Sequence, residues 1–327
     1  MLYRILILLL FSGVAQAQSH LQYIMFMDED AFQYEVREMD DRFRIQDEEH
    51  YSDLQLFIDE LCQDLSDLPS GKKQILFYVH GLWGNKSFVF NKSYTNMYKH
   101  FVSNEDSDIA CIVSIKWPSN DMDYKKNKKL VHSLAPRSSE MLSVFFEDFN
   151  ACMKEYGNDE MQINMIAHSM GNELIKEALK SMDLSKQQTP LINQMIWAAP
   201  DLDRDVFFEE GSPMGRIDSF ARRNHFYFNT RDLPLEISKQ INKTDRLGLD
   251  GKPDALTVPS NTYFVDVSFI RDEDNIPDLV SGHNYYRSSP QIMEDMYHVL
   301  LNYEVSDFDQ RQKTKENNVY SLISEKE

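Results

Sequence analysis

Met165-Ile166-Ala167-His168-Ser169-Met170-Gly171 puts a serine between an apolar run and a helix-forming run, at the tightest point of the connection. Upstream, Gln162 to Ala167 reads as a short buried strand. Downstream, Leu174, Ile175, Ala178, Leu179 and Met182 recur at helical spacing and define one apolar face. A sharp strand-to-helix turn lifts a serine hydroxyl clear of its neighbours only where small flanking residues let strand and helix pack closely. Ala167 and Gly171 supply that smallness, with alanine standing where the G-x-S-x-G pattern has its first glycine. A serine that merely opens a helix would carry the same letters, so the surrounding elements must decide.

Those elements alternate. Gln74–Val79 is an apolar run ending in His80-Gly81, and a helical segment follows around Asn91 to Phe101. Ile109 to Ile115 is the next strand, and a long helix then carries Leu142, Phe145, Phe149, Met153 and Tyr156 on one face. Beyond the serine helix come strands at Gln194 to Ala199, His225 to Asn229 and Thr262 to Val267, then an amphipathic helix with Ile292, Met293, Met296, Val299 and Leu300. Strands that are apolar throughout belong inside a sheet covered on both faces, and their alternation with helices implies parallel order. The expected fold is therefore α/β: three layers, a mostly parallel central sheet, helices on both faces, and little or no cap. The stretch between Asp203 and Asn224 is too short for a large insertion, so a shallow or modestly covered site is expected.

The chain has 327 residues and is 42% hydrophobic, enough for one sizeable domain. Met1 to Ala17 joins Arg4, an apolar run and Ala15-Gln16-Ala17, the layout of a cleavable export signal too short to span a bilayer comfortably, which takes about 20 apolar residues. The expected division is a signal peptide at 1–17, one α/β domain at 18–305 and a charged, mobile tail at 306–327. Within the domain, residues 18–70 carry strands near Tyr23 to Met27 and Arg42 to Ile45 and a helix near Leu54 to Leu65. An exported, soluble product without a stable membrane anchor follows, its oligomeric state open. The net charge of −19 argues against nucleic acid and against an anionic membrane surface as partners. Cys62, Cys111 and Cys152 form no C-x-x-C; Cys111 and Cys152 sit at apolar positions suited to small core residues, and one disulfide of unspecified pairing is possible after export. No ligand-spaced histidine or carboxylate cluster and no glycine-rich phosphate loop occurs, so neither a metal nor a nucleotide cofactor is expected.

A serine nucleophile needs a base, and the base an orienting acceptor. In an open parallel sheet such groups gather at the carboxyl ends of strands. His283, in Gly282-His283-Asn284-Tyr285, lies in a loop before the last helix and is the candidate base; His298, within that helix, reads as a partly buried helix residue. Asp232 is the preferred acid, with Asp203 and Asp201 as alternatives that also suit helix N-caps. The backbone N–H groups of Met170 and Leu82 are the candidate oxyanion donors. His168 and His80 read as structural.

Phe77 to Gly81, Ile166 to Gly171, Ala198 to Asp203 and Gly282-His283 together resemble the alpha/beta hydrolase superfamily, in its branch with an A-H-S-M-G elbow. The resemblance spans roughly residues 73–304. It implies Ser169, Asp232 and His283 as a triad, Leu82 and Met170 at the oxyanion hole, and a carboxylic ester or lipid-like substrate. A secreted binding protein that keeps the fold without turnover, and an acyltransferase using the same triad, are the competing readings.

Overall fold

The computed structural model describes residues 20–324 except 29–30, 69–70, 105, 158–159, 183–188, 254–257, 274–275 and 306–307. The stretch 1–17, expected to be a signal peptide, lies outside the described residues. The first strands are β1 (His20–Met27), β2 (Phe32–Met39) and β3 (Ile45–Tyr51), followed by helix α1 (Leu54–Ser66) and strand β4 (Gln74–Val79). Then come α2 (Ser87–Met97), β5 (Ile109–Lys116), the long α3 (Tyr124–Glu155), β6 (Gln162–His168) and α4 (Met170–Ser181). The second half runs through β7 (Ile192–Ala198), β8 (Ala221–Phe228), α5 (Leu233–Asn242), α6 (Leu247–Asp250) and β9 (Thr262–Asp266). It closes with α7 (Ile276–Ser281), α8 (Tyr285–Ser288), α9 (Pro290–Leu300), β10 (Arg311–Lys313) and β11 (Val319–Leu322).

These strands form one sheet in the order β10-β11-β9-β8-β7-β6-β4-β5-β1-β2-β3. All neighbours from β11 to β1 pair in parallel, and only the outer strands β10, β2 and β3 pair antiparallel. Alternation along each strand divides the core in two. Ile163, Met165 and Ala167 of β6 face the layer of α1, α3 and α4, while Ile166 faces that of α2 and α9. The three-layer α/β arrangement is the one expected. Only a short 3₁₀ turn at Pro213–Ser219 breaks the connection from β7 to β8.

Three expectations need correction. The N-terminal region contributes three strands, with β1 paired against β5 well inside the sheet; β2, rich in charge, was not foreseen, and β3 begins where the second strand was expected to end. The segment beyond residue 306 is not a loose tail. Its β11 extends the sheet beside β9, and Arg311 is buried, donating to Asp295 at 2.7 Å and to the Tyr227 hydroxyl at 2.8 Å. A buried guanidinium with a matched carboxylate anchors a segment whose composition alone suggests solvent. Finally, Cys152 is not a plain core residue: it is bonded to Cys62, tying α1 to α3, and Cys111 stays free and buried.

Candidate active site

Ser169 follows the last residue of β6 and precedes α4, and its backbone lies at φ +53°, ψ −124°. That region is costly for a residue with a Cβ and persists where the surroundings enforce it. Here they do. The Ser169 N–H donates to Ala198 O at 3.0 Å, and Ser169 O accepts from the N–H of Asn172 at 3.1 Å and of Asp201 at 3.3 Å. The Asn172 side chain braces the same turn, donating to Ser169 O at 3.0 Å and Ala198 O at 3.2 Å. Gly171 is required by contact: a Cβ there would lie 2.5 Å from His80 O. Ser169 occupies the N-cap position of α4, yet its hydroxyl makes no capping bond. A serine serving only as a helix start would spend its hydroxyl there.

The loop after β4 packs on this turn. A Cβ on Gly81 would sit 2.7 Å from Ser169 Cβ, so only glycine lets that backbone approach. Within the loop, Trp83 N–H donates to Ser119 O at 3.0 Å and Gly84 N–H to Gly81 O at 3.1 Å, which removes both as donors to a ligand. Leu82 remains the loop's candidate donor. Met170, first residue of α4, carries an N–H without an intrahelical partner by position. His80 anchors the loop: Nε2 accepts from Trp117 N at 3.1 Å, so the proton is on Nδ1, which donates to Gly81 O at 2.8 Å. Burial holds its imidazole down at about 4, neutral in the folded protein.

At the end of β8, Asp232 is fully buried and divides its two oxygens. Oδ1 accepts from Leu235 N at 2.9 Å and caps α5; Oδ2 lies 2.6 Å from His283 Nδ1. Burial raises its carboxyl above the usual range, offset only in part by the imidazole. The His283 loop is drawn over the elbow by His168, whose Nε2 donates to His283 O at 3.2 Å and whose ring lies 4.6 Å from that of His283. His168 is itself held neutral, its imidazole pushed well down by burial and then by His283.

Asp201 and Asp203 have other work. Asp201 accepts from Tyr124 Oη and from Arg246 Nε, each at 2.9 Å, and from Ser238 Oγ. Asp203 bonds Arg246 and Thr244. Both carboxylates are committed to the buried Arg246, so the structure brings His283 together with Asp232 and not with either alternative. His298 sits on α9 against Tyr303 and Glu294, away from the elbow.

Sequence reasoning missed Asn172, Arg246 and the pair Tyr285-Tyr286. Tyr285 Oη accepts from Ala199 N at 2.7 Å and donates to Tyr227 O at 2.8 Å, joining the ends of β7 and β8. Tyr286 stacks on His168 and shares a 2.7 Å hydroxyl bond with Tyr78. Their adjacency to His283 was the available signal.

His132, Glu173 and Glu177 bring ligand atoms within 4.8 Å of one another. Lys176 Nζ, 2.9 Å from each glutamate, already occupies the cation's place there. A cleft of about 730 Å³ opens beside the end of β5, lined by Asn120, Asp121, Lys126 and Lys129; Ser169, Asp232 and His283 do not line it.

Residues 59–301 match the family described as "Alpha/beta hydrolase of unknown function (DUF900)". The chain belongs to this family. Its matched span runs from α1 to the end of α9 and so contains the elbow, the Asp232 loop and the His283 loop. No curated protein matches the sequence. Among solved structures, the chain is similar to an esterase of Pyrococcus furiosus, at 9% identity and a TM-score of 0.38, over 87% of this chain and 90% of that one. It is also similar to phospholipase PlaB of Legionella pneumophila, at 15% identity and a TM-score of 0.22, over 60% of this chain and 39% of that one.

Proposed function

We propose that this member of the DUF900 family is an exported serine hydrolase that cleaves carboxylic esters through an acyl-enzyme. Ser169 Oγ attacks the ester carbonyl while His283 Nε2 takes its proton. Asp232 holds the Nδ1–H tautomer and stabilises the imidazolium that forms. The N–H groups of Met170 and Leu82 receive the negative charge that develops on the carbonyl oxygen, each worth on the order of 10²–10³ in rate. His283 then returns the proton to the departing alcohol, and water repeats the sequence on the acyl-serine.

The observation that carries this reading is the 2.6 Å Asp232–His283 pair in a loop tied to the residue preceding Ser169. Export rests on the Met1 to Ala17 pattern, and the Cys62–Cys152 bridge suits an oxidising compartment. The decisive test is labelling by a fluorophosphonate probe, together with turnover on p-nitrophenyl esters of increasing chain length. Native protein is expected to label and the Ser169→Ala variant not to, with kcat lower by on the order of 10⁴–10⁶. A native protein that neither labels nor turns over any ester would favour the binding-protein alternative. Secreted protein beginning at Gln18 would support export.

A further inference from the structure

Large apolar side chains left exposed are not spread evenly over this molecule. Among the described residues, the large apolar side chains at least half exposed are Phe88, Met122, Leu233, Ile237, Phe269, Ile276 and Val280, all in segments that follow carboxyl ends of strands around the elbow, and Leu56, which stands apart on α1. Leu233 and Ile237 are four residues apart on α5, the helix capped by Asp232. Ile276 and Val280 are four apart on α7, just ahead of His283. Each pair therefore shares a helix face turned to water. Phe88 stands one turn before Lys92, which bonds Asp278 of α7. Met122 precedes Tyr124, whose hydroxyl bonds Ser238 of α5. Asn229 Nδ2 donates to Gly282 O at 2.8 Å, joining the loop that leads into α5 to the one that leaves α7, so the four segments link into a collar around the Ser169–His283 site. Scattered exposed apolar residues need no explanation, but a collar at a reactive centre marks a contact surface.

Resting on the serine hydrolase reading above, we propose that this collar docks the protein on a phosphocholine lipid surface, from which the ester enters the site. The occupant must leave the serine open to a substrate, and a lipid surface brings the ester with it. Charge narrows the choice. A net charge of −19 is repelled by an anionic bilayer, whereas a zwitterionic one carries no such barrier. Lys125 and Lys129, exposed on the first turns of α3 beside Met122, suit headgroup phosphates at the depth where the collar would sit. Contact is peripheral, since no helix among the described residues is long and apolar enough to cross a membrane.

The chain supplies its own reporter. Of its three tryptophans, Trp117 and Trp197 are buried and Trp83, beside the elbow, is 38% exposed. With the full chain and vesicles of brominated phosphatidylcholine, Trp83 emission is expected to be quenched. Phe88→Ser, Ile237→Ser and Val280→Ser are each expected to weaken that binding about tenfold, from the apolar area lost to the lipid. Their hydrolysis of monomeric p-nitrophenyl acetate should be unchanged. Ser169→Ala should bind vesicles like the native chain while losing turnover, so failure of docking and failure of the hydrolase reading appear in different measurements. Absence of quenching, a triple variant that binds as well as native, or quenching confined to anionic vesicles would overturn the proposal. So would a concentration-dependent dimer that shields Trp83 without lipid, which assigns the collar to a second copy.

Discussion

Two neighbouring strand ends hold buried aspartates with opposite partners. At the end of β7, Asp201 faces Arg246, a permanent cation; burial alone would lower that guanidinium's pKa, but Asp201 together with Tyr124, Asp203 and Glu173 outweighs burial and raises it. At the end of β8, Asp232 faces His283, whose charge can change during a reaction. The first pair is saturated, because Tyr124 and Ser238 occupy the remaining lone pairs of Asp201. The second keeps one imidazole nitrogen free of its carboxylate. The partner, not the carboxylate or its burial, separates a strut from a candidate catalytic group.

Asparagine substitutions should break this comparison cleanly. Asp232→Asn is expected to lower kcat by about 10⁴, because an amide NH₂ facing Nδ1 selects the wrong imidazole tautomer. Stability should hold or rise: burial raises the Asp232 carboxyl, so the ionised form costs stability near neutral pH and the neutral amide does not. The amide oxygen can still cap α5. Asp201→Asn should do the reverse, costing up to about 3–5 kcal/mol because Arg246 loses its buried counter-charge and keeps only the partly exposed Asp203. Turnover per folded molecule should survive. Paired denaturation and ester kinetics on the two variants check this, and an inactive but stable Asp201→Asn would reassign the acid.

Histidines extend the contrast to pH. His283 meets a carboxylate, whereas His80 bonds backbone groups and the Ser119 hydroxyl, and burial holds it at about 4, against about 6.5 for a free imidazole. Between those values the unfolded chain binds the proton and the folded one does not. Stability is therefore complete above about pH 6.5 and lost as pH falls toward 4, by on the order of 3 kcal/mol from His80. His168 and His225, both pushed well down by burial, act in the same direction. Urea midpoints across this range should fall with acid, and less steeply in His80→Gln. A midpoint independent of pH would show that these imidazoles titrate alike in both states.

Much of this was legible because it is local. The elbow needs small residues at 167 and 171, and the clash of any Cβ at Gly171 with His80 O is the physical reason for one of them. Parallel order follows from apolar strands alternating with amphipathic helices, and Asp232 stands just past the end of β8 and His283 in the connection after β9, on the side where such a sheet gathers its reactive groups. What escaped depends on partners remote in sequence. Nothing near Arg246 announces that it will pair with two aspartates, and nothing near Arg311 announces Asp295. β2 hides because charged Glu35 and Arg37 occupy strand positions, and Cys152 reads as core until α1 places Cys62 against it.

Tyr285 joins the two regions and gives the smallest, sharpest test. Its hydroxyl accepts from Ala199 N, at the Asp201 end, and donates to Tyr227 O, at the Asp232 end. Ala199 itself sits at φ +44°, a strained position for alanine, so the bond fixes backbone that would otherwise relax. In Tyr285→Phe the freed groups keep a fallback, because Ala199 N also reaches Tyr227 O at 3.2 Å. The cost should therefore stay near that of one ordinary hydrogen bond, about 1 kcal/mol. Turnover should fall less than about tenfold, since the direct Asp232–His283 bond is untouched and tenfold corresponds to about 1.4 kcal/mol. A hundredfold loss in kcat with unchanged stability and KM would mean that Tyr285 sets the spacing between the two strand ends, and that the strut and the Asp232–His283 pair work as one unit.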